Sequence, residues 1–298
     1  MRAYLTLLLS LAAVWGSSYM FIEIALRDLE PTTLMAGRLL IASVFLVGLM
    51  AARGVLRRLG RVGWRAFALG LINSAAPFTL IAWGQKHIDS GVAAIANATM
   101  PLFVATLAIW LAHSERATGL RIVGIVLGLI GVGVLTGAQP EVDSWAVVGT
   151  LAVVAASVSY ALAGLLLQRQ TERIDALTLS TATILGATLA LVPFGLVQAP
   201  ADLPGWEASA SVLVLGIAGT GVGILLFMKM LGDFGAFRAG LVTYLMPITA
   251  LLYGALLLDE TITAWMVVGL ALILAGVALG SGLLRPSPTP EAVEPARP

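Results

Sequence analysis

There is no cysteine in this chain of 298 residues, and its only histidines are His87 and His113. A disulfide framework is excluded, and a Cys/His metal site cannot be assembled, because the two imidazoles fall at opposite ends of predicted spans. Charge is scarce as well. Asp, Glu, Lys and Arg make up 11% of the residues, where soluble domains carry roughly 25%. With 59% hydrophobic residues and a mean hydropathy of +0.98, the composition is that of an integral membrane protein. No cofactor and no nucleic-acid partner is expected; the lipid bilayer is.

What fills the chain is long apolar runs. They lie at roughly 3 to 26, 31 to 52, 63 to 86, 89 to 112, 118 to 136, 144 to 168, 175 to 197, 207 to 231, 236 to 258 and 262 to 284, each near the ~20 residues needed to cross ~30 Å of hydrocarbon. The N-terminal run starts like a signal peptide but continues to Leu26, so it reads as an uncleaved first helix. The last residues, 285–298, are rich in proline and almost without large apolar side chains, the composition of a disordered tail.

One sentence is written twice. The stretch GVAAIANATMPLF at Gly91 to Phe103 returns as FRAGLVTYLMPIT at Phe237 to Thr249. Placing Pro101 on Pro247, a shift of 146 residues, also superimposes Met100 on Met246, Ala93 on Ala239, Leu80 on Leu226 and Gly70 on Gly216. A proline within a helix leaves the carbonyl four residues earlier unpaired, here those of Asn97 and Thr243, which is costly in lipid unless that backbone faces protein, water or a ligand. Broken helices at matching places in two halves point to a transporter's binding site.

The basic residues give an orientation. Arg2, Arg53, Arg57, Arg58, Arg61, Arg65, Arg116, Arg121, Arg169, Arg173, Lys229, Arg238, Arg285 and Arg297 fall on one side, 14 of the 17 Lys and Arg in the chain. Both termini are therefore expected in the cytoplasm. Five spans per repeat is an odd number, so the second half should enter the membrane from the opposite face, as an inverted pair suited to alternating access.

Four segments carry a family likeness: WGSSYMFIEIAL in the first helix, GRLLIA in the second, AAIANATMPLFVATLAIWLAHSE in the fourth and LVTYLMPITALLYGALLLDE in the ninth. From about Tyr4 to Leu284 the chain resembles the EamA-type ten-helix branch of the drug/metabolite transporter superfamily. Its most specific part is the pair of Pro-centred segments, each ending near an acid, Glu115 and Glu260. The resemblance implies an all-α polytopic membrane protein of ten transmembrane helices in two inverted five-helix repeats, 1–137 and 138–284, with 285–298 as a disordered cytoplasmic tail. It also implies export of amino acids or other small metabolites across a bacterial inner membrane.

Polar side chains at mid-membrane depth are few, and they recur. Trp15, Ser18 and Tyr19 share one helix face; a shift of 141 residues carries Ser18 and Tyr19 onto Ser159 and Tyr160. With Asn73, Ser74, Asn97, Thr243 and Tyr244, and with Pro77, Pro101 and Pro247 as hinges, they outline an uncharged cavity for a neutral or zwitterionic small-molecule substrate. Packing alone is the competing account of each residue. A sugar-phosphate or nucleotide-sugar carrier would need cations at mid-depth, and the sequence offers only Arg38, displaced outward. A lipid enzyme would need a catalytic grouping that is not evident, and a passive scaffold has no use for broken helices. Glycines four apart, Gly124 with Gly128 and Gly276 with Gly280, suit close packing within a monomer, a homodimer face being the alternative. Lys229 reads as a topology residue that snorkels.

Glu23 and Arg38 are the two opposite charges placed inside the membrane, where burying one alone costs at least ~2.5 kcal/mol. Counted from the turn at Asp28 to Glu30, their levels differ by about 5 Å. A membrane-embedded ion pair is expected. Its role is either to clamp the first hairpin or to respond to a substrate carboxylate or a coupling proton.

Overall fold

The computed structural model describes residues 1–112, 119–137, 144–171 and 174–280, and every regular element among them is helical. Helices α1 (Arg2–Ala25) and α2 (Pro31–Ala52) form the first hairpin, with Pro31 in the first turn, where its missing N–H has no intrahelical partner to lose. A 3-10 turn at Leu56–Arg61 leads into α3 (Trp64–Gly70), a π-helical segment (Leu71–Ala75) and α4 (Ala76–Gln85). Then come α5 (Ser90–Asn97), α6 (Met100–Ala112) and α7 (Gly119–Gly137). The second half runs through α8 (Ser144–Thr171), α9 (Ala176–Val197), α10 (Trp206–Val214), a second π-segment (Leu215–Val222), α11 (Gly223–Gly240), α12 (Val242–Leu257) and α13 (Ala264–Gly280).

Among the described residues, eight stretches are long and apolar enough to cross a membrane: Arg2–Ala25, Pro31–Ala52, Trp64–Gln85, Ser90–Ala108, Ser144–Gln168, Ala176–Val197, Trp206–Gly235 and Arg238–Leu257. The chain is a multi-pass membrane protein. Two shorter apolar stretches accompany them, Ile122–Thr136 within α7 and Ala264–Gly280, which is α13. The sharp turn between the last two long stretches is made at Gly235, whose φ of +82° lies in the region that disfavours residues with a Cβ. Glu115, His113 and 285–298 lie outside the described residues.

The halves pack reciprocally. α2 lies on α9 and α7 on α13; α1 meets α10, α11 and α12, while α8 meets α3, α4, α5 and α6. Ser43 and Thr188, each twelve residues after the start of α2 or α9, share a hydrogen bond of 2.8 Å. Equivalent residues touch there, so the local relation between halves passes between them.

Small residues set these approaches. A Cβ on Gly70 would strike the Thr183 carbonyl and one on Gly186 the Phe67 carbonyl, so α3 and α9 pack backbone to backbone. A Cβ on Gly124 would stand 2.6 Å from the Gly276 carbonyl oxygen, and one on Gly276 2.6 Å from that of Gly124. The paired glycines thus serve close packing of α7 on α13 within one chain. Outward, Leu9, Val44, Val126, Leu189 and Leu256 are exposed apolar side chains, as lipid contact requires.

The two ends of the bundle differ. At the end holding the α1–α2 turn, Glu30 pairs with Lys86 at 2.8 Å, Arg27 with Glu207 at 3.8 Å, and Asp28 accepts from the Gly205 amide. Glu260 reaches across from the second half, and its carboxylate accepts from the Ser90 and Gly91 amides at 2.9 and 3.1 Å. That satisfies the first turn of α5 with a charge of favourable sign. Asp259, at φ +57°, ends α12 and lets the Glu260 amide return to the Gly254 carbonyl, aiming the side chain at α5. Burial, and then the Glu260 carboxylate, push the carboxyl of nearby Asp89 up. At the opposite, arginine-rich end, Asp175 caps α9 through the Thr178 amide and binds Arg58. Partial burial pushes its carboxyl up, yet the Thr178 amide and hydroxyl and the Arg58 guanidinium outweigh that and hold it below the usual carboxylate range.

Candidate functional site

Between the halves lies a cavity of about 1180 Å³. Its wall begins at Ile22, Ile81 and Ala94 and runs to Leu167, Ala176, Leu179 and Leu231, near the arginine-rich end. Trp15, Ser18, Tyr19, Asn73, Ser74, Asn97, Tyr160, Thr243 and Tyr244 all line it, as do Pro101 and Pro247.

The two π-segments explain much of this lining. A π-turn widens the helix by one residue and leaves carbonyls for other partners. Shifting Leu71–Ala75 by 146 residues lands it at positions 217–221, inside Leu215–Val222, so both halves widen at the same register. Each segment is held by the first helix of the other half. The Trp15 Nε1–H donates to the Gly219 carbonyl at 3.1 Å, and the Ser159 hydroxyl donates to the Ile72 carbonyl at 2.7 Å.

Ser159 was expected in the cavity and is not among its lining residues. Its hydroxyl is committed to the π-segment instead. The other polar groups stay at the wall: Asn97 Nδ2 donates to the Tyr19 hydroxyl at 2.8 Å, Asn73 Nδ2 donates to Ser74 Oγ at 3.3 Å, and Thr243 bonds back to the Gly240 carbonyl. Phe78 packs edge-on to Tyr160, and Trp15 packs against Phe227.

The hinges behave differently from one another. α5 ends at Asn97 and α6 restarts at Met100, so Pro101 occupies a first turn and interrupts nothing. The Ser157 hydroxyl lies 3.3 Å from the Asn97 carbonyl and 3.1 Å from its Oδ1, so that carbonyl has a donor from α8. Pro247 is inside α12, where no N–H exists to reach Thr243. Pro77 opens α4, is buried, and is absent from the cavity wall.

The expected ion pair is not formed. Glu23 Oε2 accepts from Gln85 Nε2 at 3.4 Å, while Arg38 Nε donates to Thr220 Oγ1 at 2.9 Å and its guanidinium carbon lies 4.0 Å above the Phe78 ring. Counting residues from a turn gives the level of a side chain but not its direction around the helix. Glu23 faces α4, and Arg38 faces the second π-segment and the cavity. Lys229 pairs with Asp233 at 2.9 Å on an exposed surface and takes no part.

Thr220 escaped the sequence reading although the 146-residue shift places it on Ser74. Ser157 and Gln85, which fix Asn97 and Glu23, gave no signal, because nothing in a single sequence tells which carbonyl a buried hydroxyl or amide will meet.

Comparison with known proteins agrees with this architecture. YoaV of Bacillus subtilis, named an uncharacterized transporter, is 23% identical over 278 residues, 92% of this chain and 95% of its own length. The inner membrane transporter YedA of Escherichia coli K12 is 26% identical, covering 94% and 92%. A protein of Salmonella typhimurium LT2 named "Probable amino-acid metabolite efflux pump" is 24% identical, covering 91% and 92%. One solved crystal structure matches with a TM-score of 0.68 at 19% identity over 94% of this chain and 98% of that one, a likeness of fold. The EamA-like transporter family matches residues 2–137 and again 147–282, and the chain belongs to that family.

Proposed function

We propose that this protein is a secondary transporter that exports small organic metabolites, amino acids and their relatives foremost, by alternating access. The observation that carries the reading is the cavity of about 1180 Å³ between the halves, walled by π-segments and broken helices and lined as far as Ala176 and Leu231 near the arginine-rich end. The amino-acid assignment draws on the efflux-pump name of the Salmonella relative. In this reading all ten apolar helices span the membrane, as two inverted five-helix units at 1–137 and 138–284. Both termini are cytoplasmic, and this conformation faces inward.

The opposite end is a closure built to come apart. Its ion pairs are exposed, and such pairs contribute little, about 0–1 kcal/mol each. Two buried atoms there, Gln85 Oε1 and Ser90 Oγ, have no hydrogen-bond partner among the described residues, at a cost of about 1–3 kcal/mol apiece. A closed end that is only modestly stable can exchange with an open one.

The test is metabolite profiling of cells overproducing the protein beside a vector control, followed by transport of the released solute in proteoliposomes. Faster release of one or a few small metabolites is expected. Folded protein that moves nothing across a broad panel would rule the reading out.

A further inference from the structure

Arg38 is 6% exposed, has given only its Nε–H to protein, and stands on the wall of the cavity. The other four of its five N–H donors meet no acceptor among the described residues. Among the described residues no carboxylate lines the cavity. Glu23, the counter-charge that the sequence places inside the membrane with it, is turned toward Gln85. A buried guanidinium is costly to leave without an anion, and this one is held in place from two sides: Thr220 fixes the Nε edge, and Phe78 takes one face of the plane. The remaining edge is left for something that enters the cavity.

We infer that Arg38 is the anchor for the anionic group of the transported solute, and that the solute is an organic monocarboxylate with an apolar body. This rests on the cavity being the substrate site, as proposed above, and within the class proposed there it shifts the preference from free amino acids to their relatives without a free amine. A planar guanidinium matches a carboxylate with two parallel hydrogen bonds. The hydroxyl of Tyr19, which accepts from Asn97, keeps its own proton to donate, and that of Tyr160 makes no hydrogen bond among the described residues. Trp15, Phe78, Met100, Phe227 and Met246 supply apolar wall for the remainder of the molecule.

Charge balance selects within the anions. Among the described residues of the wall there is one cation and no carboxylate, which neutralises a single negative charge. A dianionic phosphate would leave one charge uncompensated. A zwitterionic amino acid would bring an ammonium group that finds only neutral acceptors such as Asn73 Oδ1, and a free amine has no carboxylate to meet. The favoured solutes are therefore acids whose amino group is blocked, replaced or absent.

The test uses four probes of similar size on purified wild-type protein in nanodiscs: 3-phenylpropionate, phenylalanine, 3-phenylpropanol and phenethylamine. 3-Phenylpropionate should bind at least about tenfold tighter than each of the others. Arg38→Gln should bring 3-phenylpropionate to within about twofold of 3-phenylpropanol, and Arg38→Lys, which keeps a point charge without the fork, should retain part of the preference. If Arg38→Gln does not fold, the wild-type ranking decides alone. Phenylalanine or phenethylamine binding as tightly as 3-phenylpropionate, or an anion preference unchanged in folded Arg38→Gln, overturns the inference. When that happens in protein that still moves a metabolite in the profiling assay, the transporter reading survives. Wild type that binds none of the four and moves nothing overturns both.

Discussion

Arg38 in α2 and Thr183 in α9 stand at the same position of two 22-residue helices, each seven residues after the first. Both line the cavity, yet only one carries charge. Around them the scaffold is matched: glycines at Gly70 and Gly216 bring a π-segment against the other half's second helix, Ser43 meets Thr188, and each π-segment takes a hydrogen bond from the opposite half's first helix. The second half has spent its freedom differently. Where the first π-segment offers Asn73 and Ser74, the second offers Gly219 and Thr220, and Trp15 reaches the Gly219 carbonyl across Gly223, where a Cβ would stand 2.5 Å from its indole nitrogen. Packing constrains both halves alike, so on the proposed reading the difference between them is where recognition sits.

If the scaffold is matched, its crossings should fail together. Gly70→Ala and Gly216→Ala should each destabilise by about 3 kcal/mol, the upper range for overpacking against backbone that cannot yield, read as loss of folded protein in a thermal-stability series. One costly and one harmless substitution would break the match. The hinges should then separate the halves. Pro247→Ala restores a helix-interior hydrogen bond of ~1 kcal/mol, which should slow transport about fivefold, whereas Pro101→Ala, in a first turn, should leave the rate nearly unchanged. Equal slowing in proteoliposome assays would contradict the asymmetric breaks.

Glu30 and Asp175 precede α2 and α9 at equivalent places, but only Asp175 accepts a cap bond from its helix. Asp175→Ala should therefore cost about 1 kcal/mol in thermal unfolding and Glu30→Ala only a few tenths. The smallest effect concerns Asp89, which faces Glu260 and has its carboxyl raised in the folded state. A raised carboxyl favours folding only while protonated, so it costs stability once pH exceeds its folded pKa. Asp89→Asn should raise the melting midpoint slightly at pH 7, and that gain should vanish as pH falls below about 4, near the ordinary carboxylate value.

Much of this was legible in the chain. Runs of about 20 apolar residues placed the eight long spans of the described residues, and the 146-residue shift brought Asn97, Thr243 and both prolines to one cavity, because depth and register are set by rise per residue. Direction around a helix is set by its neighbours instead. That is why Ser159 turned to Ile72, why Glu23 and Arg38 parted, and why a cavity expected to be uncharged holds a guanidinium. The π-segments had no sequence warning beyond the paired Gly70 and Gly216, since one extra residue in a turn leaves an apolar pattern almost unaltered.

The central claim, that the cavity between the halves is the path of the solute, can be tested at Gly164. It lines the cavity with open space where a Cβ would go, and the chain has no native cysteine to compete with a label. A membrane-impermeant maleimide applied to Gly164→Cys in vesicles of each orientation should react about tenfold faster from the arginine-rich face and should block transport. Labelling that leaves transport intact, or that proceeds equally well from both faces, would contradict the account.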